Sequence, residues 1–155
     1  MTTGAGQPIW TPREYSKLAE EGYQKNLVVF RAVNEVARNT ASIPFVLMSR
    51  NGDDKTEIEG EHPLLALLRQ PNPQMGTARF IEEVVAYYLI AGNSYIEAVG
   101  PNKGPPKELW PLRPDRMKVI ADAQGQISAY EYAVGFDKKR WDVDLLKGKS
   151  PIMHF

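Results

Sequence analysis

The sequence has 155 residues, no cysteine, and 19 basic residues balanced by 19 acidic ones. This length allows one substantial core, and the lack of cysteine excludes disulfides and thiolate metal sites from the chain. The zero net charge argues against a non-specific DNA-binding protein, which needs many Lys and Arg contacts to phosphates. Residues 1–10 do not resemble a secretory signal, and no apolar run approaches the ~20 residues that span a bilayer. We therefore expect no membrane association.

The N-terminal segment predicts an arm followed by a single domain. Residues 1–10 are small and polar, which is typical of a flexible arm, and residues 11–155 are expected to form one domain. Thr11 and Pro12 are typical of a helix start, and the helix is expected to end near Gly22.

Residues 26–42 predict the clearest helix. Asn26 is suited to cap it, and small side chains at Ala32, Ala37 and Ala41 would permit close packing against another element. The apolar stripe is expected at helical spacing along Val29, Val33, Val36 and Thr40.

A hairpin is predicted next. Residues 43–48 are expected to form a strand with Pro44 at its start, where a missing N–H is tolerated. Asn51-Gly52 is a strong hairpin signal, and residues 55–58 would return as the second strand.

His62 and Pro63 precede a leucine-rich run that predicts a short buried helix, with proline in its first turn. Pro71, Asn72 and Pro73 then fix an extended turn that ends this helix.

A long helix is predicted from Thr77, its expected cap, and its far half is apolar enough to be buried on all sides. Gly92 is the expected stop, since glycine adopts the left-handed conformation without a side-chain cost. Asn93 tolerates unusual backbone angles, and residues 94–99 continue as a strand.

The remainder is predicted to be β-rich. Residues 109–112 and 117–120 are expected to be extended, residues 127–134 form a strand after a Gly125 turn, and residues 137–140 form a charged tip. The fold class is therefore α+β, with N-terminal helices packed with an antiparallel β-rich C-terminal half.

The sequence shows no catalytic, cofactor-binding or metal-binding pattern. His62 and His154 are the only histidines, lie far apart, and are expected to be hydrogen-bonded structural residues. No nucleophile elbow, phosphate-binding loop or dinucleotide fingerprint occurs. We therefore predict no catalytic residue, no cofactor and no metal, and the Gly92-Asn93 corner is interpreted as architecture.

The order of short motifs resembles the N-terminal part of phage portal proteins of the Hong Kong 97-like family. Each motif alone is weak, but together they cover residues 23–154. The motif residues of the resemblance include His62, Pro63, Pro71, Asn72, Pro73, Gly92, Asn93, Tyr95, Pro111 and, within an Ile-x-His ending, His154. Ser94 departs from the family, where alanine is usual.

This resemblance implies a structural, non-enzymatic virion protein. Its full-length form would be a dodecameric ring at the capsid vertex, through which double-stranded DNA passes without sequence-specific binding. Capsid, terminase and head-tail connector proteins would be its partners, a prophage is a possible genetic source, and assembly would take place in the host cytoplasm.

The resemblance places the stem helix, clip and tunnel loop of these proteins after this region. The chain would then be the wing-like part, and its apolar ending at residues 152–155 suggests that more protein follows. We expect the fragment alone to be a monomer or a weak oligomer.

Two other interpretations remain open. A small enzyme or ligand-binding domain would have a pocket near Asn93, lined by Tyr87, Tyr95 or His62. An interaction module would present residues 105–106 and 110–111 to a partner.

Overall fold

The structure, a computed structural model, describes residues 23–58, 60, 62–101, 104–143 and 150–155. The arm predicted over residues 1–10 and the helix predicted from Thr11 lie outside the described residues. Within the described part, the chain forms three α-helices and three small antiparallel sheets. The α+β class and the N-terminal position of the helices are as predicted.

Helix α1 spans Leu27–Ala41 and begins where the sequence predicts. The Asn26 Oδ1 accepts hydrogen bonds from the backbone N–H groups of Val28 and Val29 at 3.1 and 3.2 Å. Its packing side differs from the predicted stripe, because Ala37 is buried whereas Val36 is exposed. The small side chain of Ala37 lets α1 approach the later helix at Thr77–Ala91 closely, and this contact decides the packing side.

Strands β1 (Met48–Asn51) and β2 (Asp54–Glu57) form the predicted hairpin, with Gly52 at a φ of +64° in its turn. The prediction that the first strand starts at residue 43 is wrong. Met48 pairs with Glu57, which is the last residue of the short partner strand. Residues 43–47 therefore precede the paired strand and are not part of it.

Helix α2 spans Pro63–Arg69. The prediction that it is buried is wrong, because none of its residues is fully buried and Leu64 is exposed. A seven-residue helix contacts the rest of the protein along one side only. That side carries Leu67 and Leu68, which pack on the core.

Helix α3 spans Thr77–Ala91. Thr77 is not its cap: Gly76 holds that position, and the Thr77 hydroxyl donates to the backbone oxygen of Leu68 at 2.8 Å, which ties α3 to the end of α2. The prediction that the far half is buried on all sides is also wrong, since the Tyr88 side chain is 51% exposed. Helix α1 and the core cover only part of the circumference of α3.

Two three-stranded antiparallel sheets follow. The central sheet has the order β4-β3-β8, with β3 at Tyr95–Val99, β4 at Glu108–Leu112 and β8 at Ile152–His154. The second sheet has the order β5-β6-β7, with β5 at Met117–Ala121, β6 at Ile127–Val134 and β7 at Asp137–Asp142. A single helical turn at Pro114–Arg116 joins them.

The predicted charged tip at residues 137–140 is instead the start of β7. The turn lies one step earlier, at Gly135 and Phe136, because Val134 pairs with Asp137. The charged side chains of β7 face solvent, while Trp141 at its far end is buried. The solvent exposure of an edge strand, rather than a loop, explains the charged run.

The core lies on both faces of the central sheet. On one face, the second sheet packs against it through Tyr95, Leu112, Tyr130, Trp141 and Ile152. On the other face, helices α2 and α3 pack through Phe80, Ile96 and Leu109, with Leu67 and Leu68 beside them. The central sheet is thus the middle layer, between the second sheet on one face and helices α2 and α3 on the other.

Candidate functional site

The turn at Pro71, Asn72 and Pro73 covers the outer edge of β4. The backbone N–H of Leu109 donates to the Pro71 oxygen at 2.7 Å, and the Asn72 side-chain amide donates to the Leu109 oxygen at 2.9 Å. Leu109 thereby has both backbone groups satisfied on the side away from β3. The turn acts as a substitute strand at an edge that would otherwise be open.

Asn72 is the centre of this turn and is only 2% exposed. Its Oδ1 accepts from the backbone N–H groups of Gln74 and Met75 at 2.9 and 3.1 Å. A buried amide with all these partners fixes one backbone path. The two flanking prolines favour the same path because they reduce the conformational freedom of the unfolded chain.

The corner at Gly92 and Asn93 has the predicted geometry. Gly92 has a φ of +71°, and its N–H donates to the Tyr88 oxygen at 2.8 Å, which ends α3. A Cβ at Gly92 would meet no neighbouring atom, so the left-handed backbone, and not a lack of space, explains why this residue is glycine. Asn93 then presents its side chain to the end of β8.

His154 joins this corner to the second sheet. Its Nε2 lies 2.9 Å from the Asn93 Oδ1, and its Nδ1 lies 3.3 Å from the Tyr130 hydroxyl. Its ring stacks on Tyr95, with centroids 4.4 Å apart. Because the amide oxygen can only accept, Nε2 carries the proton and Nδ1 accepts from the tyrosine. We name these four residues, Asn93, Tyr95, Tyr130 and His154, the corner cluster.

Burial sets the protonation of the corner cluster. It lowers the pKa of the His154 ring and raises the pKa of the Tyr130 hydroxyl. Burial, and to a smaller degree the neighbouring Tyr130, raises the pKa of Tyr95. All three groups are therefore held neutral at pH 7, as a hydrogen-bonded joint requires.

The other predicted motif residues lie apart from this cluster. His62 caps α2, with its Nδ1 accepting from the Leu64 N–H at 3.2 Å, and Pro63 is the first residue of the helix. Pro111 is half-buried in β4, opposite Ile96. The motif residues thus occupy three separate places: the start of α2, the β4 edge and the corner.

Ser94 lies at the end of the corner and is fully buried. Its backbone pairs with Phe155 in both directions, at 2.9 and 3.1 Å, which extends the β3–β8 ladder by one pair. Its hydroxyl, however, has no hydrogen-bond partner within the described residues. The backbone is required at this position and the hydroxyl is not.

A second joint between the sheets was not predicted from the sequence. One oxygen of Glu97 accepts from Lys139 at 2.6 Å and from the Trp141 indole at 3.2 Å. The lysine also lies 4.9 Å from the Trp141 ring. Because 42 residues separate Glu97 from Lys139, only the alternation of β7 could have indicated this contact.

The structure brings Tyr95 and Asn93 together around His154, but it places the other two residues of the predicted pocket, Tyr87 and His62, elsewhere. Tyr95 is buried beneath the sheet, His62 lines a groove of about 470 Å³ beside α2, and Tyr87 lines a groove of about 380 Å³ between α1 and α3. Neither groove reaches Asn93. Among the residues described here, no three His, Asp or Glu side chains group closely enough to hold a metal ion.

The segment predicted as an interaction surface is divided by the structure: Pro105 and Pro106 are exposed, whereas residues 110–111 lie within β4. Trp110 is half-buried in β4 and its indole donates to Glu108 at 2.8 Å. Pro105 and Pro106 pass so close to Gly100 that a Cβ there would lie 2.9 Å from the Pro106 Cα. Glycine is needed at residue 100 for this close approach.

The chain is thus an α+β domain in which the corner cluster and the turn at Pro71, Asn72 and Pro73 connect neighbouring elements. Such an arrangement is expected of a structural protein. The chain belongs to the phage portal protein family, whose model matches residues 27–155. Two uncharacterized Rickettsia proteins are similar in sequence. One from Rickettsia bellii is 32% identical over 135 residues and one from Rickettsia felis is 30% identical over 139.

Solved structures of a gene transfer agent (GTA) particle contain similar chains. A chain of the native virion is 38% identical, with a TM-score of 0.75, and the match covers 97% of this chain and 37% of the other. Chains of the native neck computed with C12 symmetry and of the empty neck computed with C6 symmetry, each 38% identical, give TM-scores of 0.74 and 0.76. This chain spans about a third of the Rickettsia relatives' length, 33% and 34%.

No helix among the residues that the structure describes is both long and apolar enough to cross a membrane.

Proposed function

We propose that the protein containing this chain is a structural portal protein. In this proposal it forms a ring at the capsid vertex, through which double-stranded DNA is packaged and ejected and to which the tail attaches. The observation that carries the proposal is the family match over residues 27–155, together with the similarity to chains of a particle neck.

The symmetry of the similar neck structures supports a ring. They were computed with C12 and C6 symmetry, and a cyclic arrangement repeats the same surface contacts around the ring. A dodecamer is compatible with both symmetries. Exposed apolar side chains, Leu27 and Val28 among them, are typical of surfaces that another protein covers.

Residues 11–155 would form the wing-like part of each subunit, with residues 1–10 as an arm. Capsid, terminase and head-tail connector proteins are the partners that this role requires. The protein would reside in the virion and, during assembly, in the host cytoplasm. A prophage is a plausible source of its gene.

The pairing of the basic residues on β7 is consistent with DNA that passes through the proposed ring without binding tightly to it. Three successive basic residues on β7 each have an acidic partner in the same chain. The pairs are Lys138 with Glu131, Lys139 with Glu97, and Arg140 with Asp142. Paired cations release fewer counterions on meeting a phosphate backbone, so this region would bind DNA weakly.

Negative-stain imaging of the full-length protein, with its mass measured by light scattering, tests the proposal. We expect rings with a central hole and a mass that is a multiple of the subunit mass. A compact monomer of the full-length protein at several salt concentrations would contradict the proposal. It would also reopen the possibility of a small binding domain, for which no described residue now argues.

A further inference from the structure

The Asn51-Gly52 pair forms the turn of the β1–β2 hairpin, and it also carries a chemical reactivity that the fold does not use. Asn51 is the last residue of β1, and Gly52 supplies the positive φ of +64° in the turn. Asparagine is one of the thermolabile residues of proteins, because the backbone nitrogen of the next residue can attack its side-chain carbonyl. A glycine in that next position leaves the nitrogen unshielded, since glycine has no Cβ.

The side chain of Asn51 differs from those of the other asparagines. Six asparagines lie in the described part of the chain, and five of them have a hydrogen-bonded side-chain amide. These five are Asn26, Asn34, Asn39, Asn72 and Asn93. Asn51 is exposed, and its side-chain amide makes no hydrogen bond with any residue that the structure describes. Its carbonyl carbon is therefore accessible, and no contact holds its amino group in place.

The attacking nitrogen at Gly52 is accessible as well. The backbone N–H of Gly52 donates no hydrogen bond to any described residue. The nitrogen after Asn93 is different, because the N–H of Ser94 donates to the Phe155 oxygen at 3.1 Å. The nitrogen after Asn72 belongs to a proline and carries no hydrogen. Both reacting groups are thus available at Asn51, whereas the corresponding nitrogens after Asn72 and Asn93 are blocked.

Attack also requires the Asn51 side chain and the Gly52 nitrogen to turn towards each other. The β1–β2 hairpin is a separate two-stranded sheet with four residues in each strand, and both strands are exposed along their whole length. An isolated two-stranded hairpin is marginally stable, and such an element opens locally without global unfolding. The Asn51–Asp54 pair beside the turn can therefore open while the core remains folded.

We propose that the β1–β2 turn is a site of spontaneous deamidation, in which Asn51 is converted to aspartate and isoaspartate. The Gly52 nitrogen loses its proton to water or hydroxide and forms a bond to the Asn51 Cγ. The bond between Cγ and Nδ2 then breaks, and the amino group takes a proton from water and leaves as ammonia. The product of this step is a cyclic imide.

The cyclic imide is then opened by a water molecule. Cleavage of the bond between the Gly52 nitrogen and Cγ gives aspartate in the normal backbone. Cleavage of the bond between the same nitrogen and the backbone carbonyl carbon of Asn51 gives isoaspartate. The whole reaction consumes one water and releases one ammonia, and nothing is oxidised or reduced.

Both products alter the hairpin rather than the core. Each adds a carboxylate close to Asp53 and Asp54, in a chain whose 19 acidic and 19 basic residues otherwise balance. Isoaspartate also lengthens the backbone by one carbon, which disrupts the Asn51–Asp54 pair. Because β1 and β2 are exposed, the melting temperature of the protein should not change.

Prolonged incubation of the folded full-length protein in mildly alkaline buffer tests the proposal. Mass spectrometry of its peptides locates the deamidated residues, and an isoaspartate-specific methyltransferase measures isoaspartate. We expect product at Asn51 and none at the other five asparagines, together with an acidic shift on isoelectric focusing. The reaction should be slower in mildly acidic buffer, since the Gly52 nitrogen attacks only after losing its proton.

Two variants provide the comparison. Asn51→Gln should lose the isoaspartate signal at this turn, because attack on the longer side chain requires a larger ring that forms far more slowly. Asn39→Gln is the matched control, since Asn39 is also exposed but its amide donates to the Glu35 oxygen. This control should keep the signal and the acidic shift of the parent protein.

Incubation of the same protein in urea gives the rate without the fold. Asn51 that stays intact in the folded protein, over a time in which urea allows its conversion, would overturn the proposal by showing that the hairpin protects it. An isoaspartate signal that persists in Asn51→Gln would place the reaction at another residue and would also overturn it. The proposal does not depend on ring formation, so these outcomes leave the proposed function unaffected.

Discussion

The hydroxyl of Ser94 is the clearest single-residue weakness in the fold. It is buried without a hydrogen-bond partner among the described residues, and an unsatisfied buried polar group costs stability. Ser94→Ala should therefore raise the free energy of unfolding by about 1 kcal/mol. Urea denaturation of the two proteins measures the difference.

Ser49→Ala is the matched control for this substitution, because Ser49 is exposed on β1. Its effect should stay within about 0.5 kcal/mol, as for most surface substitutions. A lower stability of Ser94→Ala would show that the hydroxyl has a partner that the present account lacks.

Gly92 is a second residue whose role can be isolated. A Cβ at this position would meet nothing within 4 Å, so any cost of substitution comes from the φ of +71°. Gly92→Ala should lower the free energy of unfolding by about 1 kcal/mol, and Gly92→Val by more. Gly92→Asn should cost less than either, because asparagine tolerates the left-handed region. Equal melting temperatures for Gly92→Val and the parent chain would remove this explanation of the corner.

At the scale of elements, the Pro71–Pro73 turn is attached to β4 by a backbone hydrogen bond and by one side chain, Asn72. Asn72→Ala removes the donor to Leu109 and the acceptor for two backbone N–H groups, all in a buried place. We expect a loss of about 3 kcal/mol in the free energy of unfolding. Chemical denaturation measures this loss. Asn39→Ala, which removes an exposed amide on α1, should cost less than about 0.5 kcal/mol, and similar losses for both variants would contradict the special role of Asn72.

The joint at His154 should make stability depend on pH. Burial lowers the pKa of His154 in the folded state below its usual 6.5, so below that pH the unfolded chain binds the extra proton. The free energy of unfolding should therefore fall as the pH drops from about 6.5 towards the folded pKa, and this histidine should contribute no slope above pH 7.

His154→Gln isolates this contribution from that of the carboxylates. The stability difference between the parent chain and His154→Gln should shrink as the pH falls from 7.5 to about 5. Parallel profiles for the parent chain and His154→Gln would show that the ring of His154 is not held neutral by the fold.

Local chemistry made several element ends predictable, although the start of β1 and the cap of α3 were predicted wrongly. The burial of the helices depends on packing partners, which the sequence does not show. The Asn26 cap, the Gly52 turn and the Gly92 stop are set by residues within a few positions, and the structure has all three. The expected burial of α2 and of the far half of α3 was wrong, because apolar content does not show how many neighbours a helix has. The same limit hid the joint at Glu97, whose partners lie on another sheet.

At the scale of the molecule, exposed apolar faces indicate surfaces that another part of the protein or another subunit covers. The exposed apolar residues of α1, α3 and the β6–β7 turn, such as Val28, Tyr88 and Phe136, are left open by the fold of this chain. The sequence predicted burial for the far half of α3, which includes Tyr88, and made no such prediction for Val28 or Phe136. They are core-like in composition, and the proposed ring would supply the missing side of several of them.

The isolated chain should nevertheless fail to assemble. Stable interfaces bury on the order of 1,200–2,000 Å². This chain spans 33% of a relative's length, and we expect most of the contact in the proposed ring to come from the rest of the full-length protein. Sedimentation of the 155-residue chain at micromolar concentration should give a mass close to 17.4 kDa, and the full-length protein should give rings under the same conditions. Stable rings from the isolated chain would contradict this expectation and would show that its own exposed faces are sufficient for assembly.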